Sequence, residues 1–181
     1  MKKFVFVAGV VVASSVFAQD TMMFGSDDDE AYALAIWDSM LESDLAGDGL
    51  VISYPYPGTD PHGFLLETFY TQATINGHTG ALVVKRNYGP LDVSEDEVIA
   101  DPKGHLSAIT IMFEREAGYD DATQNWFYAK YLPEGSLDVN PNGVSLAGLV
   151  GKDADAGCIA CHQNASGDDY IFTTDARLTV N

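Results

Sequence analysis

HLSAITIMFER, His105 to Arg115, decides the fold class. Its apolar residues recur every second position: Ile109, Ile111 and Phe113 share one face, and Thr110, Met112 and Glu114 the other. That is the period of a half-buried strand rather than of a helix. Asn125 to Leu132 (NWFYAKYL) repeats the signal, and Gly118 to Gln124 is a connection suited to two antiparallel neighbours. Upstream, Ala81 to Tyr88 (ALVVKRNY) reads as a strand entered through the turn Asn76-Gly77, with Phe64 to Ile75 before the turn. Val51 to Tyr54 reads as a shorter β run, separated by a Pro/Gly loop from Pro55 to Gly63. Gly89 to Gly104 reads as a polar, acidic loop. Pro133 to Gly157 reads as loop with a short helix leading toward Cys158.

Outside this β region the period changes. Tyr32, Ala35, Ile36 and Met40 recur at helical spacing, with Leu34, Trp37 and Leu41 widening the face. Ser26 followed by Asp29 is a helix-start signal, and Gly47-Asp48-Gly49 a stop. The expectation is a helix from about Asp28 to Glu42. The fold class is therefore α+β: an antiparallel sheet with an N-terminal helix and a short helix near the C-terminus. No internal repeat is present.

The first eighteen residues read as a signal peptide. Lys2 and Lys3 precede an apolar core, Phe4 to Val12, and Val16-Phe17-Ala18 is a small-residue cleavage site. Cleavage after Ala18 leaves 163 of the 181 residues, enough for one domain. Residues 19–28 then form a flexible acidic leader, and 29–181 a single domain in the periplasm. The apolar run is too short to span a bilayer. Losing Lys2 and Lys3 takes the basic residues from 9 to 7 against 27 acids, and net charge from −18 to −20. Such a surface repels nucleic acid and anionic lipid; it keeps an exported chain soluble and steers basic partners toward it.

The chemistry is carried by Cys158-Ile159-Ala160-Cys161-His162. C-x-x-C-H is the attachment signature of haem c: each thiol adds across one vinyl group, and the histidine follows as an iron ligand. A structural zinc site needs two more ligands, and the chain has no other cysteine. A thioredoxin-like C-x-x-C belongs beside a βαβ pattern, which is absent. The strands exclude a four-helix bundle. No methionine follows His162, as one would in a small helical electron carrier. Met112 is a formal sixth ligand, but a strand methionine is more often packing, so the expectation is a high-spin iron with one open face.

Four stretches resemble the cytochrome P-460 and cytochrome c′-beta family: Pro61-His62-Gly63, VVKRNYG from Val83, ITIMFEREAGYDDATQNWFYAKYLPEG from Ile109, and CIACHQNASGDDYIF from Cys158. The resemblance implies an antiparallel sheet with packed helices, often a homodimer, holding one high-spin haem c. One branch joins a lysine to the haem edge and oxidises hydroxylamine; the other lacks the link, has an apolar distal face and binds nitric oxide. Lys85 matches the position of that lysine. Glu114 and Glu116 stand where relatives often have Lys and Pro, and the acidic 92–97 loop is longer than usual.

Several side chains have two readings. Lys85 is either a solvated strand-end lysine or, if the strand alternates regularly, buried beside the haem with Val83. Lys103, Lys130 and Lys152 are less well placed. Hydroxylamine oxidation releases protons, so a distal carboxylate would serve as base. Glu114 points either to solvent or into a pocket, and Glu67, inside an apolar strand, carries the same ambiguity. Met112, Trp126 and Tyr128 are candidate pocket walls, although strand aromatics are core by default. Two functions follow: an enzyme passing electrons from hydroxylamine to a basic carrier protein, or a nitric oxide-binding or electron-transfer protein without turnover.

Overall fold

The computed structural model describes residues 23–172; the signal peptide, its cleavage site and the first part of the leader lie outside them. Helix α1, Asp27–Glu42, starts where Ser26 accepts from the Asp29 backbone N–H while the Asp29 carboxylate takes the Ser26 N–H, a complete capping box. Four acids in its first turn favour the positive end of the helix dipole. The segment before it is not loose, because Phe24 bridges Gly148 and the Gly25 N–H donates to Ala147 O at 2.7 Å. Residues 24–28, expected in the flexible leader, are therefore tied to Gly148 and Ala147 or belong to the start of α1.

Six strands follow as one antiparallel sheet in chain order: β1 Tyr56–Pro57, β2 Leu65–Ile75, β3 His78–Tyr88, β4 Leu106–Glu114, β5 Trp126–Tyr131 and β6 Ala147–Gly148. The expected α+β fold is found, and Asn76-Gly77 closes the β2–β3 hairpin with both residues at positive φ. Val51 to Tyr54 is not a strand. Its backbone is taken up instead by side chains from the sheet: Arg86 donates to Val51 O, and Glu67 accepts from the Ser53 N–H. The expected acidic loop at 89–104 contains two short helices, α2 Glu95–Ala100 and α3 Pro102–His105. Ser94 and Glu97 form the capping box of α2, and Pro102 opens α3, so both starts were written in the sequence but too short to show a period.

The pleat sorts the sheet into two faces. Leu82, Val84, Ile109, Ile111, Phe113, Phe127 and Tyr131 face α1, whose Ile36 and Met40 are fully buried against them. Each such side chain contributes about 1.5–3 kcal/mol by leaving water. Val83, Met112, Trp126 and Tyr128 face the other way and pack with Val150 and Ile159. The register makes this binding: Val83 pairs Met112, which pairs Tyr128, and one step along Lys85 pairs Thr110, which pairs Lys130. At the far end of the α1 face the Arg115 guanidinium lies 3.6 Å from the centre of the Tyr32 ring and bonds Glu116 through two nitrogens.

That hydrogen bond from Arg115 lowers the Glu116 carboxyl to about 2. The folded value lies below the ordinary 4.5, so the unfolded chain binds the proton more readily and the stabilisation is present above pH 4.5 and lost as pH falls toward 2. The pair is half exposed, and its contribution is accordingly small. Glu116→Gln should lower stability slightly at neutral pH and not at pH 2, a convergence that urea titrations at the two pH values would detect.

Candidate functional site

The second face of the sheet is covered by the segment that carries the two cysteines. Gly157 has φ +128°, and a Cβ there would stand 2.7 Å from the Gly151 Cα, so only glycine lets residues 151 and 157 close on each other. This tight loop delivers helix α4, Cys158–His162. Ile159 anchors it: its side chain is buried in the second cluster and its N–H donates to Val150 O at 2.9 Å.

Both thiols are free, Cys161 exposed and Cys158 half-buried. Burial pushes the Cys158 thiol up to about 11. His162 is buried, and its Nδ1 lies 2.7 Å from the Tyr170 carbonyl. A carbonyl only accepts, so Nδ1 carries the proton and Nε2 keeps its lone pair, the tautomer a metal-binding imidazole needs. Desolvation lowers the His162 pKa, the bond to Tyr170 working against it. Tyr170 is itself held by its neighbour: Trp126 Nε1 donates to Asp169 O at 3.0 Å. Trp126 thus supports the turn that orients His162 and does not line the cavity.

Between α4 and the sheet lies a cavity of about 620 Å³. Cys158, Ala160 and Cys161 form one side, Asn87, Thr110 and Lys130 the other, and residues 60–63 its edge. It continues into an inner chamber of about 40 Å³ against the sheet. Val83, Met112, Tyr128 and Phe172 make that chamber apolar, and His62, Lys85 and Thr110 supply its polar groups. The Tyr128 hydroxyl is buried without a hydrogen-bond partner, a costly arrangement in a protein interior unless a bound group satisfies it. Two free thiols, an imidazole of fixed tautomer, a broad slot and an orphaned hydroxyl together fit a haem. Among the described residues no group of three or more His, Cys, Asp or Glu is assembled for a metal held by side chains alone, which leaves the zinc alternative without donors.

Lys85 points into the inner chamber, half-buried, as regular alternation with Val83 requires. Desolvation lowers its pKa, with Cys161 acting in the opposite sense. The other described lysines are all paired: Lys103 with Asp48, Lys130 with Asp138 at 2.7 Å, and Lys152 with Asp120. The Lys85 amine has neither an ion-pair nor a hydrogen-bond partner among the described residues.

The two carboxylate candidates are elsewhere. Glu67 pairs Arg86 across the strands and lies on the α1 face, buried and bonded to Arg86, Tyr88 and the Ser53 N–H. It belongs to a structural network with the whole sheet between it and the cavity. Glu114 shares the face of Met112 but sits at the open end of β4, exposed, so solvent takes its charge. Of the proposed walls, Met112 and Tyr128 line the chamber.

His62, by contrast, carried no signal beyond its place in Pro61-His62-Gly63, because an isolated loop histidine has no period. Asn87 donates its amide to the carbonyls of Lys85 and Ala108, so its Oδ1 must accept, and His62 Nδ1 donates to it at 3.1 Å. His62 Nε2 is left as a bare acceptor. Burial, then the Lys85 charge, hold the His62 pKa down at about 4, so the ring is neutral near pH 7.

No curated protein and no solved structure matches the chain. One family model does, that described as Cytochrome P460, over residues 66–173. The match covers more than half of the chain and takes in all but the first residue of β2, the strands β3 to β6, Lys85, both cysteines, His162 and Tyr170. Membership implies a haem cofactor, which is what the slot beside α4 fits. The chain belongs to the cytochrome P460 family.

Proposed function

We propose that the protein is a periplasmic cytochrome with a single haem c, held by Cys158 and Cys161 with His162 on the iron, that oxidises hydroxylamine. The observation that carries this reading is the Lys85 amine, half-buried in the inner chamber without a partner. A lysine is costly to bury unless it is paired or modified. A bond from Nζ to a carbon of the haem edge would remove one N–H and one C–H hydrogen, a two-electron oxidation that a peroxide would balance by becoming two waters. The lowered Lys85 pKa keeps more of the amine in the neutral form that can make that bond.

Bound haem supplies a redox-active iron whose electronics respond to ligand, burial and distortion. Conversion of hydroxylamine to HNO gives up two electrons and two protons. His162, its tautomer fixed through the Tyr170 carbonyl, would hold the iron through Nε2, and His62 would stand nearby with its ring 6.3 Å from that of His162. His62 Nε2 accepts a substrate proton, and the Tyr128 hydroxyl donates to an oxygen in the chamber. The chamber's volume of about 40 Å³ admits small molecules and not large ones. The electrons leave to a soluble carrier, and a net charge of −18 favours a basic one.

Nitric oxide binding without turnover is the second reading. It is favoured by the chamber's apolar majority and by the absence of any carboxylate among its lining residues. The exported, haem-loaded protein decides between them. Mass spectrometry of a digest should give one haem bridging the 158–162 and Lys85 peptides, and hydroxylamine should reduce an added acceptor. Haem on the cysteine peptide alone, with no reduction of acceptor, would leave the gas-binding reading.

A further inference from the structure

A third cavity, of about 410 Å³, adjoins the slot, with which it shares Asp60, His62, Gly63 and Ser107, and opens to solvent beside residues 58–64. Gly58, Phe64, Pro90, Leu91 and Ser107 line it, with Leu91 75% exposed at its rim. Only one residue lines both this outer pocket and the inner chamber, and that residue is His62. We infer that His62 is a door: small uncharged molecules enter through the outer pocket and reach the haem chamber when its ring swings aside. The inference rests on the haem reading of the same cavity.

The surrounding structure says which part moves. A Cβ on Gly58 would meet the Gly63 carbonyl oxygen at 1.9 Å, and one on Gly63 the Tyr88 nitrogen at 2.5 Å. The loop backbone is thus packed hard on itself and on β3, and it cannot lift without breaking those contacts. The ring of His62 is held differently. Its one close hydrogen bond is to Asn87 Oδ1, with Thr110 Oγ1 at 3.5 Å beyond. One neutral hydrogen bond is a weak latch, and rotation of this half-buried side chain needs no movement of the backbone. Asn87 is a fixed doorpost, because the Lys85 and Ala108 carbonyls hold its amide. The outer pocket carries Asp60 on its wall, which disfavours anions and leaves neutral hydroxylamine or a diatomic gas as the class admitted.

The test uses carbon monoxide as probe on the ferrous, haem-loaded protein, with rates taken by flash photolysis. A pyridine haemochrome assay first establishes that each variant carries haem c, so a failure of the haem reading is seen separately. Replacing the ring by a methyl group, His62→Ala, should raise the association rate about tenfold, within the span that single substitutions reach. The dissociation rate should rise in parallel, leaving the equilibrium constant little changed, because a door affects passage in both directions. Leu91→Trp, on the exposed rim, should slow both rates. Two results would overturn the inference: association unchanged in both variants, or a change confined to dissociation in His62→Ala, which is what loss of a contact to bound ligand would give. If His62→Ala does not fold, the Leu91→Trp rates decide alone, unchanged association rejecting the outer pocket as the route.

Discussion

Lys85→Met protein is expected to keep its haem on Cys158 and Cys161 yet to lose hydroxylamine oxidation. The substitution nearly preserves length and apolar stem, so the chamber wall built with Val83, Met112 and Tyr128 should stay closed. What disappears is the amine, the one lysine nitrogen among the described residues that has no ion-pair partner. On the proposed crosslink, its loss would free the macrocycle of a covalent constraint and of a share of its electronic tuning. The digest should give haem on the 158–162 peptide alone, the ferrous absorption should move to shorter wavelength, and turnover should fall to background. Lys85→Met should also be slightly more stable than the wild-type chain before haem is attached, since it removes a half-buried charge with no partner. If the variant turned over hydroxylamine at the wild-type rate, the lysine-dependent mechanism would be wrong whatever the haem's attachment.

The largest expected loss of stability lies one residue further along the same strand, on the other face. Arg86 has no exposed surface and Glu67 1%, and the two are 3.3 Å apart. The guanidinium also donates to the carbonyls of Asp44, Leu45 and Val51, which ties the stretch after α1 to the sheet. Tyr88 gives its hydroxyl to the same carboxylate, and burial followed by that bond raises its pKa. Arg86→Met removes one charge from a closed network and takes the donor from the Leu45 and Val51 carbonyls, while Asp44 O keeps the Val51 N–H. Breaking a buried pair in this way costs about 3–5 kcal/mol. Urea unfolding should show that loss, while Arg86→Met with Glu67→Leu should recover part of it, since the stranded carboxylate is then gone. A single-variant loss below 1 kcal/mol would mean that water reaches Glu67. Haem attachment should be unaffected in whatever fraction folds, because the sheet separates this network from the cavity.

These two neighbours also mark the line between what the chain states and what folding adds. Strand alternation in VVKRNY says that Lys85 and Arg86 point to opposite sides, but it does not say which side holds the cavity. The register does: Glu67 opposite Arg86, and Thr110 between Lys85 and Lys130. Glu67 and Glu114 were therefore ambiguous as bases for one reason, that a period of two defines faces without naming what covers them.

Sequence alone determined the strands β2 to β5, helix α1 and its Ser26 cap, and the spacing of Cys158, Cys161 and His162, since each is encoded in one contiguous run by period, cap chemistry or covalent reach. Short elements with no period of their own escaped it: α2, α3, and the stretch at Val51–Tyr54, whose hydrogen bonds go to side chains far along the chain. Tertiary structure alone decided the chamber. His62 meets Asn87 across twenty-five residues and lines the same chamber as Lys85, the Tyr128 hydroxyl is orphaned only once α4 closes over it, and the Tyr170 carbonyl sets the tautomer of His162. Such contacts depend on where loops land on a sheet, and no local pattern of residues records that.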